Sequence, residues 1–219
     1  MMDCVLAGLK WHDCLVYLDD IVVFSDSFDE HLQRIQKVFK KLADANLKLQ
    51  PTKCKFAYYE AHFLGHIVSK EGVRTDPKII QAVRDFKVPV NVKGVRSFLG
   101  LTGYYRKFVD NFASIAAPLN ALLKHETAFE WTEECQKAFI ELKNRLVSAP
   151  ILVHFSDKYP IVIYVDASGF GIGAVLSLII KGKEHVVAYA SRTLTDNEKK
   201  FGISEKECLA LLWAITYKF

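Results

Sequence analysis

The first seventy residues alternate between two hydrophobic rhythms. Cys14-Leu15-Val16-Tyr17-Leu18 and Ile21-Val22-Val23-Phe24 are short β-branched and aromatic runs separated only by Asp19-Asp20, which predicts a hairpin or two close strands. The period then lengthens. Ser27 and Glu30 match a capping box, and Phe28, Leu32, Ile35, Phe39 and Leu42 repeat on one helical face. Arg34, Lys37, Lys40 and Lys41 lie mostly off that face, and Asn46 is a stop. Residues 47–50, 54–59 and 62–68 read as further short strands, ending at Lys70-Glu71-Gly72.

Beyond this point helices dominate. Asp76 caps a helix that Pro77 suits in its first turn and Val88-Pro89 closes. A second helix is expected from about Val92 to Asn111, although it contains Gly94, Gly100 and Gly103, each costing about 1 kcal/mol against Ala in a helix interior. Such glycines imply close approach of another backbone. That backbone is either a packed helix or, given Arg96, Tyr104, Arg106 and Lys107 alongside, a nucleic-acid strand. Residues 131–147 form an amphipathic helix with Thr132 as N-cap, Glu133 and Glu134 at its positive end, and Cys135, Ala138, Phe139, Leu142 and Leu146 as its apolar stripe. Residues 151–155, 161–166, 172–180 and 185–190 then read as strands. A last helix covers about Ser204 to Tyr217.

Composition adds bounds. With 219 residues, 51% hydrophobic and 25% charged, the chain can build one large or two small cores. The net charge of +4 is mild, but it is concentrated. Between Arg84 and Lys107 the cations are Arg84, Lys87, Lys93, Arg96, Arg106 and Lys107, against Asp85 alone. That suits a polyanion partner. Five scattered cysteines without zinc-like spacing read as reduced thiols of an intracellular protein. His62 and His66 are four apart, but the Glu of a zincin is missing, so they are ordinary surface or packing histidines. No apolar run reaches the roughly 18 residues of a membrane helix, and no secretory signal is visible.

Asp19-Asp20 is the first candidate for chemistry. Adjacent carboxylates at a tight turn repel one another unless a cation sits between them. Mg²⁺ prefers carboxylate oxygens and substrate phosphates, and paired ions support nucleotidyl transfer. A plain polar turn would also use Asp. The flanks decide. Tyr17-Leu18-Asp19-Asp20 between apolar strands resembles the polymerase hairpin of reverse transcriptases, and Trp11 to Ser25 resembles the version in gypsy-class LTR retrotransposons. Phe63-Leu64-Gly65-His66-Ile67-Val68 is similar to the primer-grip hairpin of that family. Arg96 to Leu101 with Tyr104-Tyr105-Arg106-Lys107-Phe108 is similar to its thumb, and Phe129-Glu130-Trp131-Thr132 to the segment entering its RNase H domain.

Tyr164-Val165-Asp166-Ala167-Ser168-Gly169-Phe170-Gly171-Ile172-Gly173 is the second candidate. The Gly-x-Gly suggests a dinucleotide fingerprint, but that motif needs a following helix, and here strand-like residues continue. A β-meander is expected. Within the family resemblance, Asp166 resembles the first carboxylate of an RNase H site. Ser204 to Ala210 resembles the helix bearing its Glu. Glu207 is preferred, with Glu205 the competitor about 200° away around the helix.

The resemblance implies an α+β multidomain fold: a partial reverse-transcriptase palm at 1–72, a helical thumb at 73–128, and an incomplete RNase H-like domain with a mixed sheet plus helix at 129–219. It implies RNA-directed DNA synthesis and hydrolysis of RNA in RNA–DNA hybrids. Asp19, Asp20, Asp166 and Glu207 would hold Mg²⁺ (or Mn²⁺). The implied partners are an RNA template, a DNA primer, the hybrid and deoxynucleoside triphosphates. Tyr17 and Leu18 would flank the primer end and Phe63, Leu64, Gly65 and His66 would position its backbone. Arg96, Arg106 and Lys107 would meet phosphates, and Tyr104 or Tyr105 would pack on sugars. It also implies residence in cytoplasmic particles, with the nucleus as a further compartment, and origin in a polyprotein that includes endonuclease and DNA-integration functions. A third palm Asp and the later RNase H carboxylates are not in these 219 residues, so the isolated chain is expected to be at best weakly active. Two rivals are a non-catalytic hybrid-binding or assembly protein and a piece that does not fold alone.

Overall fold

The computed structural model describes residues 2–124 and 129–219. It divides into two compact units, 1–63 and 64–219.

In the first unit a short helix α1 (Met2–Val5) leads to the antiparallel hairpin β1 (Cys14–Tyr17) and β2 (Asp20–Val23), paired from Cys14↔Val23 to Tyr17↔Asp20. Helix α2 (Phe28–Asp44) starts where Ser27 Oγ accepts the Glu30 N–H at 3.3 Å. Only half of the capping box forms, because the Glu30 carboxylate turns to Arg34 at 2.6 Å. The core is small: Leu6, Cys14, Val38 and Leu42, with Val16, Ile21 and Val23 packed on it. The expected α2 stripe is only partly buried. Phe28, Leu32 and Phe39 are exposed, and Val38 rather than Phe39 enters the core. Residues 47–50 and 54–59 are not strands. Pro51 lacks a donor and sits in a 3₁₀ turn, Pro51–Lys53, and the residues around it are mostly exposed. Strand β3 (Glu60–Phe63) ends the unit.

The second unit opens with β4 (His66–Ser69) and β5 (Gly72–Thr75), an antiparallel pair. The expected single strand 62–68 is thus interrupted at Leu64 and Gly65, whose φ values of +48° and +65° turn the chain. β5 lies where the pattern suggested only a turn. Asp76 caps α3 (Pro77–Arg84), accepting from Lys78 N–H at 2.8 Å, and Asn91 caps α4 (Val92–Tyr104), accepting from Gly94 N–H at 2.8 Å. The helix expected to reach Asn111 stops at Tyr104. The Tyr105 N–H tightens onto Thr102 and a 3₁₀ turn, Arg106–Phe108, follows. Asn111, at φ +53°, then redirects the chain into the short α5 (Phe112–Ile115) and α6 (Ala117–Ala121), which periodicity did not predict. α7 (Glu133–Val147) is capped by Thr132 as expected.

Its apolar stripe does not pack on the following sheet alone. Cys135, Ala138, Phe139, Leu142 and Leu146 join Val83, Val95, Phe98, Tyr105, Phe108 and Leu119 in one core. Of the expected strand 151–155, Leu152 bridges Val73 through N–H···O bonds of 2.7 and 2.9 Å and the Val153 N–H donates to Val186 O at 2.9 Å, with no continuous ladder among the described residues. The terminal layer is the antiparallel meander β6 (Ile161–Ala167), β7 (Gly171–Ile180), β8 (Lys183–Thr193), with α8 (Ile203–Trp213) packed on it through Leu209, Ala210 and Trp213. α8 continues into a π turn, Ala214–Lys218, so the helical residues extend past the expected Tyr217. No described helix is long and apolar enough to cross a membrane.

Candidate functional site

The Tyr17↔Asp20 pair closes a two-residue turn of Leu18 and Asp19. Leu18 is held at φ +51°, a left-handed conformation that costs an L-residue roughly 1–2 kcal/mol. Its side chain is 75% exposed and Tyr17 beside it is also exposed. Asp19 and Asp20 are both exposed, and neither has a polar partner among the described residues. Two anions and two apolar side chains are therefore presented together to solvent.

The stem of this hairpin is braced by a residue that periodicity did not single out for a role. Arg34, on α2, donates to the carbonyls of His12 (2.6 Å) and Phe24 (2.8 Å), which flank the two strands. It also pairs with Asp13 at 3.3 Å and Glu30 at 2.6 Å. Asp13 is nearly buried and takes a second cation, Lys37, at 3.3 Å. Only the tertiary fold brings these groups together, so no local pattern could have shown the clamp.

In the second unit, the tip Leu64-Gly65-His66 is tied to the end of α4. Tyr104 donates to the Leu64 carbonyl and Tyr105 to the Gly65 carbonyl, both at 2.6 Å. A Cβ on Gly65 would lie 3.0 Å from the Tyr105 hydroxyl, so both φ and space favour glycine there. His66 stacks on Tyr104 (5.4 Å, 13°) and meets Tyr105 and Phe108 at 5.3 and 5.6 Å. Burial, with a lesser push from Lys107, lowers its pKa to about 4, and its Nδ1 is buried without a hydrogen-bond partner among the described residues. Tyr105 is 1% exposed, and burial pushes its phenol up to about 12. Its ring has no open face for a sugar, so that expectation narrows to Tyr104, which is exposed.

Along α4, Lys93, Arg96, Gly100 and Tyr104 are exposed. A Cβ at Gly100 or Gly103 would meet nothing within 4 Å, so these glycines do not serve helix packing, while a Cβ on Gly94 would lie 3.2 Å from Pro89 Cβ in the segment leading into the helix. Arg106 is exposed and Lys107 half-buried in the turn that follows.

In the meander, Asp166 is exposed on β6 opposite Gly173, between Val165 and Ala167, which pack toward α8. The next turn is built by Ser168. Its Oγ accepts from the Phe170 and Gly171 N–H groups at 3.3 and 3.0 Å, and its N–H donates to Gly171 O at 2.9 Å. The Gly-x-Gly is packing: a Cβ on Gly171 would lie 2.9 Å from Arg192 O, and one on Gly173 would lie 2.9 Å from Asn111 Oδ1. The structure also separates the two candidate glutamates. Glu205 accepts the Gly202 N–H at 2.7 Å as part of the α8 cap, whereas Glu207 is exposed and without a polar side-chain partner among the described residues. Among the described residues, no three or more His, Cys, Asp or Glu gather as a metal site.

Residues 1–68 match the model of the reverse transcriptase (RNA-dependent DNA polymerase) family, and residues 131–218 match that of the RNase H-like domain found in reverse transcriptase. Among curated relatives, the Drosophila melanogaster Pol polyproteins of transposon 297 and gypsy are 46% and 38% identical over 97% and 98% of the chain. The chain spans about a fifth of their length, 20% and 21% respectively. A foamy viral protease-reverse transcriptase solved with double-stranded DNA aligns over 98% of the chain and 38% of its own, with TM-score 0.83 and 28% identity. Another solved with an RNA/DNA hybrid gives 0.81 and 28% over 98% of this chain and 29% of its own. The two hairpins, the helices after them and the meander with α8 thus occur in the order of a retroelement Pol region, and the chain belongs to the reverse transcriptase and RNase H-like families of retrotransposon Pol polyproteins.

Proposed function

We propose that this chain is part of an RNA-directed DNA polymerase with an RNase H-like domain, in which Asp19 and Asp20 hold Mg²⁺ and the two units bind an RNA–DNA hybrid. The carrying observation is the hairpin turn, which exposes two adjacent carboxylates with no ion-pair partner among the described residues. Oxygen donors of this kind fit Mg²⁺, and Mn²⁺ less specifically. When bound, such ions stabilise the attacking and leaving oxygens of a nucleotidyl transfer. The protein's own contribution is to fix the carboxylates on a braced stem and to set Tyr17 and Leu18 beside the primer end. Phe63 to His66 support the primer backbone. Arg96, Arg106 and Lys107 meet phosphates of template and primer, and Tyr104 packs on a sugar. Asp166 and Glu207 serve RNA cleavage in the second unit. Deoxynucleoside triphosphates are the substrates, and cytoplasmic particles and the nucleus are the compartments.

Two carboxylates alone hold Mg²⁺ weakly, and no third ligand gathers with them among the described residues. That observation favours hybrid binding with little turnover for this length of chain. The test is hybrid binding across a salt series, together with Mg²⁺-dependent primer extension, for the chain and for Asp19→Asn. Salt-sensitive binding with feeble, Asp19-dependent extension is expected. Strong extension that Asp19→Asn leaves untouched would defeat the metal assignment. Failure to bind hybrid would defeat the nucleic-acid reading.

A further inference from the structure

Where the 3₁₀ turn after α4 packs on β8, a cleft of about 260 Å³ opens, lined by Arg106, Lys107, Ser191, Arg192, Trp213 and Lys218 among others. We infer that this cleft is a backbone-phosphate site that carries one strand of the hybrid from the α4 surface onto the RNase H-like sheet. The inference rests on the nucleic-acid reading above and adds Arg192, Trp213 and Lys218 to it.

The charges point one way. Arg106 and Lys218 are exposed and have no ion-pair partner among the described residues. Lys107 is half-buried beside them, its ammonium 5.2 Å from the Phe108 ring centroid and without an ion-pair partner among the described residues. Its burial lowers its pKa. An ammonium withdrawn from water without an anion is a standing cost, which an incoming anion relieves. Arg192 plays a different part. Two 2.8 Å bonds tie its guanidinium to Glu198, and it lies 5.8 Å from the Trp213 ring centroid. Its charge is already matched, so it is a rigid wall of the cleft rather than a free donor. Glu198 is spent on Arg192 and on the Thr195 N–H, and against Asp110 and Glu184, the carboxylates that act on the lining Tyr189, the three cations Arg106, Lys107 and Lys218 are in excess there.

Size selects the ligand. Pockets for whole small molecules run to about 300–1,000 Å³. A cleft of about 260 Å³ is small for a free nucleoside triphosphate with its base. A phosphodiester with part of its sugar against Trp213 fits the volume and the charge.

The test uses the full chain and a short RNA–DNA hybrid, with lysine acetylation rates read residue by residue by mass spectrometry. Lys107 and Lys218 should be protected by hybrid, while the exposed Lys158 and Lys181 label as in the free chain. Lys218→Gln should lower the slope of log affinity against log salt by about 0.9, one phosphate contact. Hybrid that binds while Lys107 and Lys218 label at their free rates, with an unchanged slope in Lys218→Gln, overturns the cleft and leaves the wider reading standing. Equal protection of both lysines by a deoxynucleoside triphosphate overturns the backbone assignment. Absence of any hybrid binding overturns both readings.

Discussion

Replacing Tyr105 by Phe isolates the tie between α4 and the hairpin tip. The ring stays in its core, and only the hydroxyl's 2.6 Å bond to Gly65 O is lost. A hydrogen bond of this kind contributes about 0.5–1.5 kcal/mol net, and the partly buried setting argues for the upper half, about 1–1.5 kcal/mol. Tyr104→Phe removes a bond of the same length from an exposed ring, where water replaces it, so about 0.5 kcal/mol is expected. Tyr105→Ala adds a cavity and should cost about 3–5 kcal/mol. Urea unfolding of the second unit gives the three values. Hydrogen exchange over residues 64–75 shows whether the loss is local. The pH dependence gives a second check. Tyr105 keeps its proton to about 12 when folded, whereas the unfolded phenol releases it near the ordinary 10. Stability from this group is therefore complete below pH 10 and lost between pH 10 and 12, and Tyr105→Phe should remove that part of the slope. Equal costs for Tyr104→Phe and Tyr105→Phe, or an unchanged alkaline slope, would refute the assignment of Tyr105 as the buried strut.

Three further outcomes follow from the same geometry. His66 is neutral in the fold down to about 4 against an ordinary 6.5, so the second unit should lose stability as pH falls from 6.5 to 4; His66→Phe, followed by thermal unfolding across that range, should flatten the loss. Arg34→Ala removes two carbonyl contacts and one cation from the nearly buried Asp13. It should destabilise the first unit by about 2–3 kcal/mol in urea, with Arg34→Lys intermediate because it cannot fork to several acceptors. Leu18→Gly relieves the positive φ and should leave the hairpin as stable or up to about 1 kcal/mol more stable, while weakening primer extension in whatever length of Pol chain is active; a clear loss of stability would show that no strain is stored there.

The hairpin at Asp19-Asp20, the Ser27, Asp76 and Thr132 caps and the antiparallel meander were legible in the sequence, because each is set by residues a few positions apart. Caps depend on one side chain and its nearest N–H groups, and hairpins on alternation about a short turn. The motif order was also enough to indicate the family. What the pattern misread depended on partners distant in sequence. The residues around Pro51 have strand-like composition but form no strand. Leu152 is strand-like only because Val73 lies beside it. α4 stops at Tyr104 because the next residues turn their aromatic rings into a core shared with α7.

The candidate sites divide along the same line. Sequence by itself singled out Asp19, Asp20, Asp166 and Glu207 as candidates, from their immediate neighbours. Tertiary structure decided what surrounds them. It assigned Glu205 to the α8 cap and left Glu207 exposed. It turned Tyr105 from a surface candidate into a buried strut, and it gathered Arg34 with Asp13. It also brought Arg106 and Lys107 to Arg192 and Lys218 across more than eighty residues of chain. The physical reason is the range of the forces involved. Capping and alternation act within a turn or two of chain. Burial, buried hydrogen bonds and clustered charge depend on which distant segments the packed core brings together.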